Sequence, residues 1–407
     1  MLLPDSQQRA ALASCMRHVV LFLLATLLAA VEPPWFGTLQ HDPAHLAALR
    51  AGGVGATVLE LAWSSWQPTA DRRDTTYIDH TRQRLAALRA GGLVVTLDLG
   101  FQYPPAWIFD LPNSRYRNQY GVDFAENSPG MNGVNAVFNA DLRKLQAAYC
   151  AEVLATLGHD FALIRLGWGW YSELNFPKAT HAGRTNCFWG FDDLAQGRAP
   201  GLPPGIPSCP VPGWRPGEAS PDHDAARRFA NWYLEALRNY HDWQITTVRA
   251  LHPGRLAMLY PSWGLRPGQL DAAIAHDLDG SQVAQHGDLS LGEYWPRLIS
   301  GIRDPGVVVY STWLDAPFGD DRSLDPAQWC PMRYLASLAE PRGLAVAGEN
   351  TGGNDVAAMR RCFARAEELH LLGFFWAFEH ELFDGVNEHA TMADFATGIA
   401  AQRSAGQ

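Results

Sequence analysis

Two glutamates lie in sequence contexts that suit acid–base or nucleophilic chemistry. Glu173 follows a short apolar run, within the segment GWGWYSELNFP, and its neighbours include Trp168, Trp170 and Tyr171. An apolar surrounding disfavours a charged carboxylate and raises its pKa, as a general acid requires near neutral pH. Glu349 ends the apolar run LAVAG and precedes the polar and glycine residues NTGG. For each glutamate the alternative role is structural, in a helix cap or an ion pair.

The two glutamates together indicate more than either one alone. Glycoside hydrolysis commonly uses two carboxyl groups that flank the bond, one as the acid and the other as nucleophile or base. A separation of about 5–5.5 Å between them leads to retention of configuration, and about 6.5–9.5 Å leads to inversion. We therefore predict an O-glycosyl hydrolase with Glu173 and Glu349 as its catalytic pair.

Eight short apolar runs alternate with longer helical patterns along the 407 residues. Short apolar runs between helices are typical of buried parallel strands, and eight such units predict a single α/β domain, a (β/α)8 TIM barrel over residues 32–407. Glycine pairs at 52–53 and 91–92 are predicted to end the first two helices. The predicted strands are Trp35–Gln40, Ala56–Leu61, Leu93–Leu99, Ala162–Gly167, Leu256–Tyr260, Val307–Tyr310, Leu344–Gly348 and Leu372–Trp376.

Long loops are predicted after strands three, four and five, at residues 100–138, 168–221 and 261–306. They leave the C-terminal ends of the strands, where barrel enzymes build their active sites. Strands four and seven face each other across a barrel. Glu173 and Glu349 are thus expected to meet at its mouth.

On these motifs the chain resembles the clan A glycoside hydrolases, which carry the acid/base on strand four and the nucleophile on strand seven. The segments LAWSSWQP at 61–68, DLG at 98–100 and PPAW at 104–107 are similar to the opening strands of the bacterial β-galactosidases of family 42 type. The resemblance implies a retaining double-displacement mechanism.

The resemblance also assigns roles to individual residues. It implies Glu173 as acid/base, Glu349 as nucleophile and Trp376 as a platform under the sugar ring. It implies further that Tyr310 donates a hydrogen bond to the nucleophile.

One position departs from the family pattern. Ser172 stands where the family usually has an asparagine that contacts the sugar 2-hydroxyl, so either this substrate contact is altered or Asn175 takes it over. The phrase SELNFP also resembles the β-amylases, barrel enzymes that invert. Two alternatives therefore stay open: an inverting β-amylase-like hydrolase, and a carbohydrate-binding barrel without activity.

Aromatic residues are abundant, with 15 tryptophans in the chain, and they either stack on sugar rings or fill the core. Asp98, at the end of strand three, is expected to form a buried salt bridge. The further substrate-binding candidates lie near strand ends and are Trp63, Trp107, Trp170, Trp313, Glu293 and His41.

The formal net charge of −10 argues against nucleic acid as a partner, because phosphate binding requires clustered basic residues. No cysteine and histidine spacing is typical of a zinc site. We expect an oligosaccharide or glycoside as substrate, with no cofactor, no metal and no protein partner.

Residues 1–31 are predicted to be a signal peptide or, alternatively, a membrane anchor. The apolar run VVLFLLATLLAAV at 19–31 follows Arg9 and Arg17, as in a signal-peptide core. We therefore predict export to the periplasm or the extracellular space. In an exported protein, Cys187–Cys209 and Cys330–Cys362 are candidate disulfides, whereas Cys150 is expected to be a buried free thiol.

Overall fold

Eight parallel strands close into a barrel in the computed structural model, which describes residues 34–126, 132–282 and 288–405. The strand order follows the sequence, and β1 pairs with β8 to close the ring. The predicted (β/α)8 barrel is confirmed, with strand ends shifted by at most a few residues. The strands are β1 Trp35–Thr38, β2 Ala56–Glu60, β3 Val94–Asp98, β4 Leu163–Leu166, β5 Arg255–Tyr260, β6 Val307–Ser311, β7 Ala345–Glu349 and β8 Gly373–Trp376.

Helices surround the barrel, and some of them begin at side-chain caps that the sequence supplies. Asp74, Asn139 and Asp355 each accept a hydrogen bond from a backbone N–H in the first turn of the helix that follows. Glycines at 52 and 91 end the first and third helices, as predicted. The helices are α1 Leu46–Ala51, α2 Trp63–Trp66, α3 Thr75–Ala90, α4 Ala140–Leu157, α5 Asp224–Arg249, α6 Gln269–Ala275, α7 Asp288–Leu291, α8 Trp295–Ser300, α9 Pro331–Ala339, α10 Val356–Glu368 and α11 Met392–Ala405.

The strands divide their side chains between two apolar layers because successive residues of a strand point to opposite faces. The outer layer lies between the sheet and the helices and forms the larger core. The inner layer fills the barrel and contains Ala56, Val58, Leu163, Ala257, Leu259, Val308, Tyr310, Ala347 and Phe375. Inward-facing positions at the C-terminal strand ends lie above this inner layer. They determine which side chains line the barrel mouth.

Long connections follow β3, β4 and β5, as the sequence predicted. The connection after β4 is attached to α5 by aromatic contacts. Phe176 stacks on Tyr233 with ring centroids 4.0 Å apart, and it lies 5.9 Å from Phe138 of the preceding connection. These rings hold the long segments against the barrel.

The cysteines differ from the prediction. All of those that the structure describes are free and buried, namely Cys150, Cys187, Cys209, Cys330 and Cys362. The predicted Cys187–Cys209 and Cys330–Cys362 disulfides are therefore wrong, because sequence spacing does not fix the distance between two thiols in the fold. Cys330 instead caps α9, where its Sγ accepts a hydrogen bond from the backbone N–H of Arg333 at 3.4 Å. The buried free thiol predicted at Cys150 is confirmed.

The predicted signal peptide, residues 1–31, lies outside the described residues. Within residues 34–126, 132–282 and 288–405, no helix is long and apolar enough to cross a membrane.

Candidate active site

A cavity of about 540 Å³ opens at the C-terminal end of the barrel and is lined by both Glu173 and Glu349. Its walls come from the segments that follow β1, β4, β5, β6, β7 and β8, together with the end of β7. Two glutamates separated by 176 positions in the chain thus share one cavity, as the barrel topology predicts.

Glu349 is held from two sides. It is the last residue of β7, points into the barrel mouth and is only 7% exposed. Arg165 of β4 approaches it with Nη1 at 2.7 Å from Oε2 and Nη2 at 3.2 Å from Oε1. The hydroxyl of Tyr310 on β6 donates a hydrogen bond to Oε2 at 2.9 Å. The two contacts from Arg165 fix both the position and the plane of the Glu349 carboxylate. The Tyr310 contact is the one that the family resemblance implied.

Arg165 also faces a second carboxylate. Its Nε lies 3.1 Å from Oδ2 of Asp98, the last residue of β3, and both side chains are almost completely buried. Burial raises the pKa of Asp98, while the Arg165 charge acts in the opposite direction. The salt bridge expected for Asp98 is therefore present. Sequence reasoning missed Arg165, although a single arginine inside the apolar run ALIRLG was a visible sign of a buried charge partner.

Glu173 has a different environment from Glu349. The side chain is half-buried in the cavity wall, and burial raises its pKa to about 8. The hydroxyl of Thr312 lowers this pKa, and the charge of Glu349 raises it. Asn175 donates a hydrogen bond from Nδ2 to Oε2 at 3.3 Å. The raised pKa favours the protonated form of Glu173 near neutral pH, which is the form from which a carboxyl group can donate a proton.

The backbone before Glu173 is strained. Trp168, Tyr171 and Ser172 have φ angles of 58°, 59° and 63°, in the left-handed region that residues with a side chain rarely adopt. Each such residue costs on the order of 1–3 kcal/mol and persists only where surrounding contacts impose it. Two of these contacts are the hydrogen bonds from Gly169 N to Glu173 O at 2.9 Å and from Leu174 N to Leu259 O at 3.0 Å. These contacts thus fix the segment that carries Glu173.

Three further predicted residues line the cavity: Trp170, Asn175 and Trp313. Within the described residues, Nε1 of Trp170 and Oδ1 of Asn175 are buried and have no hydrogen-bond partner. A buried polar atom without a partner is costly unless a ligand or water satisfies it. The fold thus leaves one donor and one acceptor unsatisfied in two residues that line the cavity.

The predicted platform, Trp376, is wrong. Its side chain is wholly buried in the outer layer, where its ring lies 6.4 Å from that of Phe395 on α11. Strand alternation explains the error, because Phe375 occupies the inward position on β8 and Trp376 therefore points away from the axis. Phe378, two residues further on, lines the cavity and is 39% exposed. The sequence analysis did not identify Phe378.

Two other tryptophans pack against neighbouring side chains and do not line the cavity. Trp63 is completely buried and stacks on Tyr149 with ring centroids 5.3 Å apart. Trp107 is half-buried, lies edge-on to Trp63 and donates its indole N–H to the carbonyl of Gln67 at 3.2 Å. Neither lines the cavity, so the structure does not bring the predicted sugar contacts Trp63 and Trp107 to the two glutamates. Both lie between the β2 and β3 ends and α4, where apolar area is needed for packing.

The polar candidates Glu293 and His41 also lie elsewhere. Glu293 is completely buried and accepts a hydrogen bond from Nε1 of Trp295 at 2.6 Å. His41 lines a separate depression together with His80 and Arg84 of α3. The cavity that holds the catalytic candidates includes neither of these predicted residues.

The fold and the paired glutamates define a barrel with a carboxylate pair at its C-terminal mouth. No family model matches the sequence, and no curated protein matches it. The catalytic domain of β-amylase from Paenibacillus polymyxa is similar in structure, with a TM-score of 0.62 and 14% identity over 90% of this chain and 97% of that one.

Two β-galactosidases are similar as well. The enzyme from the psychrophilic Marinomonas ef1 has a TM-score of 0.57 and 12% identity over 91% of this chain. The enzyme from the haloarchaeon Halorubrum lacusprofundi has a TM-score of 0.57 and 13% identity over 91% of this chain. The chain spans 59% and 58% of their respective lengths. The resemblance to barrel glycoside hydrolases is thus confirmed for the fold.

Proposed function

We propose that this protein is an O-glycosyl hydrolase that uses Glu173 as general acid/base and Glu349 as nucleophile. The observation that carries the proposal is the contrast within one cavity: the pKa of Glu173 is raised to about 8, whereas Glu349 is ion-paired with Arg165. A proton donor and an anionic group are the two functions that cleavage of a glycosidic bond requires.

In the proposed reaction, a carboxylate oxygen of Glu349 attacks the anomeric carbon while Glu173 transfers its proton to the departing glycosidic oxygen. The bond to the leaving group breaks, and an ester bond joins the sugar to Glu349. In the second step Glu173, now a carboxylate, takes a proton from water, and the resulting hydroxide displaces Glu349. Two displacements at the same carbon give net retention.

Three features support a sugar as the substrate. Trp170 and Asn175 line the cavity and carry polar atoms, Nε1 and Oδ1, that have no hydrogen-bond partner in the described part of the chain. The rings of Trp313 and Phe378 offer flat apolar surfaces in the same cavity, and such surfaces suit the C–H faces of pyranose rings. The structural neighbours bear glycosidase names, β-amylase and β-galactosidase.

An inverting reaction is the second candidate. It is favoured by the SELNFP segment around Glu173 and by the similarity to the β-amylase, which this chain covers over 97% of its length. In that case Glu349 activates a water molecule instead of attacking the sugar.

A panel of nitrophenyl glycosides tests the activity, and proton NMR of the first-formed anomer separates retention from inversion. Azide added to a Glu349→Gly variant should yield a glycosyl azide if Glu349 is the nucleophile. A wild-type protein that binds oligosaccharides yet cleaves none of them would show that the barrel is a binding protein.

Export remains a separate proposal that rests on residues 1–31 alone. Expression of the full chain, with and without these residues, followed by cell fractionation tests it. The same cytoplasmic location for both forms would contradict the proposal.

A further inference from the structure

Asp98 contacts both halves of the candidate catalytic machinery without lining the cavity. We propose that Asp98 is a positioning residue that fixes Glu349 through Arg165 and the Glu173 segment through Ser172. This inference rests on the proposed function, because it assigns Asp98 a role in the same reaction.

The first connection runs through the guanidinium of Arg165. Its two Nη atoms face Glu349, and its Nε lies 3.1 Å from Oδ2 of Asp98. The two carboxylates thus occupy different edges of one planar group. The contact with Asp98 is an ion pair without a hydrogen bond, because Nε of Arg165 has no hydrogen-bond partner among the described residues; the charge of Asp98 holds the guanidinium beside Glu349.

The second connection runs through Ser172. Its hydroxyl donates a hydrogen bond to Oδ1 of Asp98 at 3.3 Å, and Ser172 directly precedes Glu173. Ser172 is one of the residues with a left-handed backbone, at φ 63°, so an outside contact is needed to hold it. The same Oδ1 accepts the N–H of Gly100 at 2.9 Å, which ties Asp98 to the backbone after β3.

The direction of the Ser172 side chain gives this position a new role. Ser172 is 2% exposed and faces Asp98, and it is not among the described residues that line the cavity. In the family that the chain resembles, an asparagine at this position contacts the sugar 2-hydroxyl. Here the contact is internal, and it joins the acid segment to the nucleophile's ion pair.

A purely structural salt bridge is the competing explanation, and the two roles differ in their kinetics. Loss of a structural contact lowers stability but leaves the rate-limiting chemistry of the folded enzyme unchanged. Loss of a positioning contact lowers kcat in the folded enzyme, because a displacement of about 1 Å can cost about 10²-fold in rate. KM changes little, since Asp98 does not line the cavity.

The test compares Asp98→Asn and Ser172→Ala on aryl glycosides with good and poor leaving groups. We expect Asp98→Asn to lower kcat about 10²-fold on every substrate, because it disturbs the nucleophile. We expect Ser172→Ala to lower kcat mainly on poor leaving groups, which depend on proton donation by Glu173. The double variant should lose less than the product of the two single losses, since both changes break one network.

Asp192→Asn is the matched control. Asp192 is a buried carboxyl group that accepts the N–H groups of Leu194 and Ala195 and has no contact with either glutamate. It should keep the wild-type kcat and leaving-group dependence.

Each outcome separates the inference from the proposed function. A folded Asp98→Asn protein with wild-type kcat and leaving-group dependence overturns the inference and leaves the hydrolase proposal intact. If Asp98→Asn does not fold, a wild-type leaving-group dependence in Ser172→Ala overturns it instead. A wild-type protein that cleaves no glycoside overturns the proposed function, and the inference with it.

Discussion

The two glutamates of the cavity lie in opposite kinds of surroundings. Glu349 ends a regular strand and is bound by the guanidinium of Arg165 and the phenol hydroxyl of Tyr310. Glu173 follows a strained segment, and its polar neighbours are the amide of Asn175 and the hydroxyl of Thr312. Burial therefore has different consequences at the two positions. It raises the pKa of Glu173 to about 8, while Glu349 keeps a cation within 2.7 Å. Identical side chains thus acquire different electrostatic surroundings from the strand ends that carry them.

The largest expected effect is that of Glu349→Gln. An amide cannot form the ester intermediate, so activity on all glycosides should fall below detection while oligosaccharide binding persists. Steady-state kinetics and calorimetric titration of the same preparation check this. Substantial remaining turnover would remove Glu349 from the mechanism.

Glu173→Gln should lower kcat/KM by about 10²–10⁴-fold on substrates with poor leaving groups, which is the usual contribution of a general acid. Dinitrophenyl glycosides, which leave without protonation, should lose much less in the first step. An equal loss on both substrate types would contradict the assignment of Glu173 as the acid.

Arg165→Met should destabilise the fold, because it leaves Asp98 and Glu349 buried without their shared cation. Breaking a buried charge pair in this way costs about 3–5 kcal/mol, which urea unfolding can measure. Arg249→Met is a control, because this arginine pairs with Asp304 far from the cavity and is more exposed. A smaller loss for Arg165 than for Arg249 would contradict the importance of the buried network.

The pH profile tests the raised pKa of Glu173. The acid must be protonated, so kcat/KM should decline as the pH rises through about 8, tenfold per unit above it. This alkaline limb should be absent in Glu173→Gln. A rate that stays constant to pH 10 would show that no group of this kind is required.

The smallest effect is expected for Asn175→Ala, which removes the hydrogen bond to Oε2 of Glu173. Such a bond contributes about 0.5–1.5 kcal/mol, so kcat/KM should fall by up to about tenfold. Comparing kcat and KM separately shows whether Asn175 orients the acid or binds the substrate.

Most of the fold followed from local patterns. Short apolar runs, helix caps and glycine pairs are properties of neighbouring residues, and they located all eight strands. The location of the two glutamates could also be predicted from the sequence, because a polar residue directly after a buried strand lies at the barrel rim. Trp376 shows the limit of this reasoning. Its strand was predicted correctly, but the face to which it points depends on a shift of one residue.

The sequence by itself determined the alternation of strands and helices, and with it the meeting of Glu173 and Glu349 over one cavity. Only the tertiary structure decided which charges surround each glutamate and that Cys187 and Cys209 do not pair. The physical reason is how far apart in the sequence the interacting residues lie. Strand and helix formation depends on residues a few positions apart, whereas the pKa of Glu173 and the ion pairs of Arg165 depend on β3, β4, β6 and β7 meeting in space.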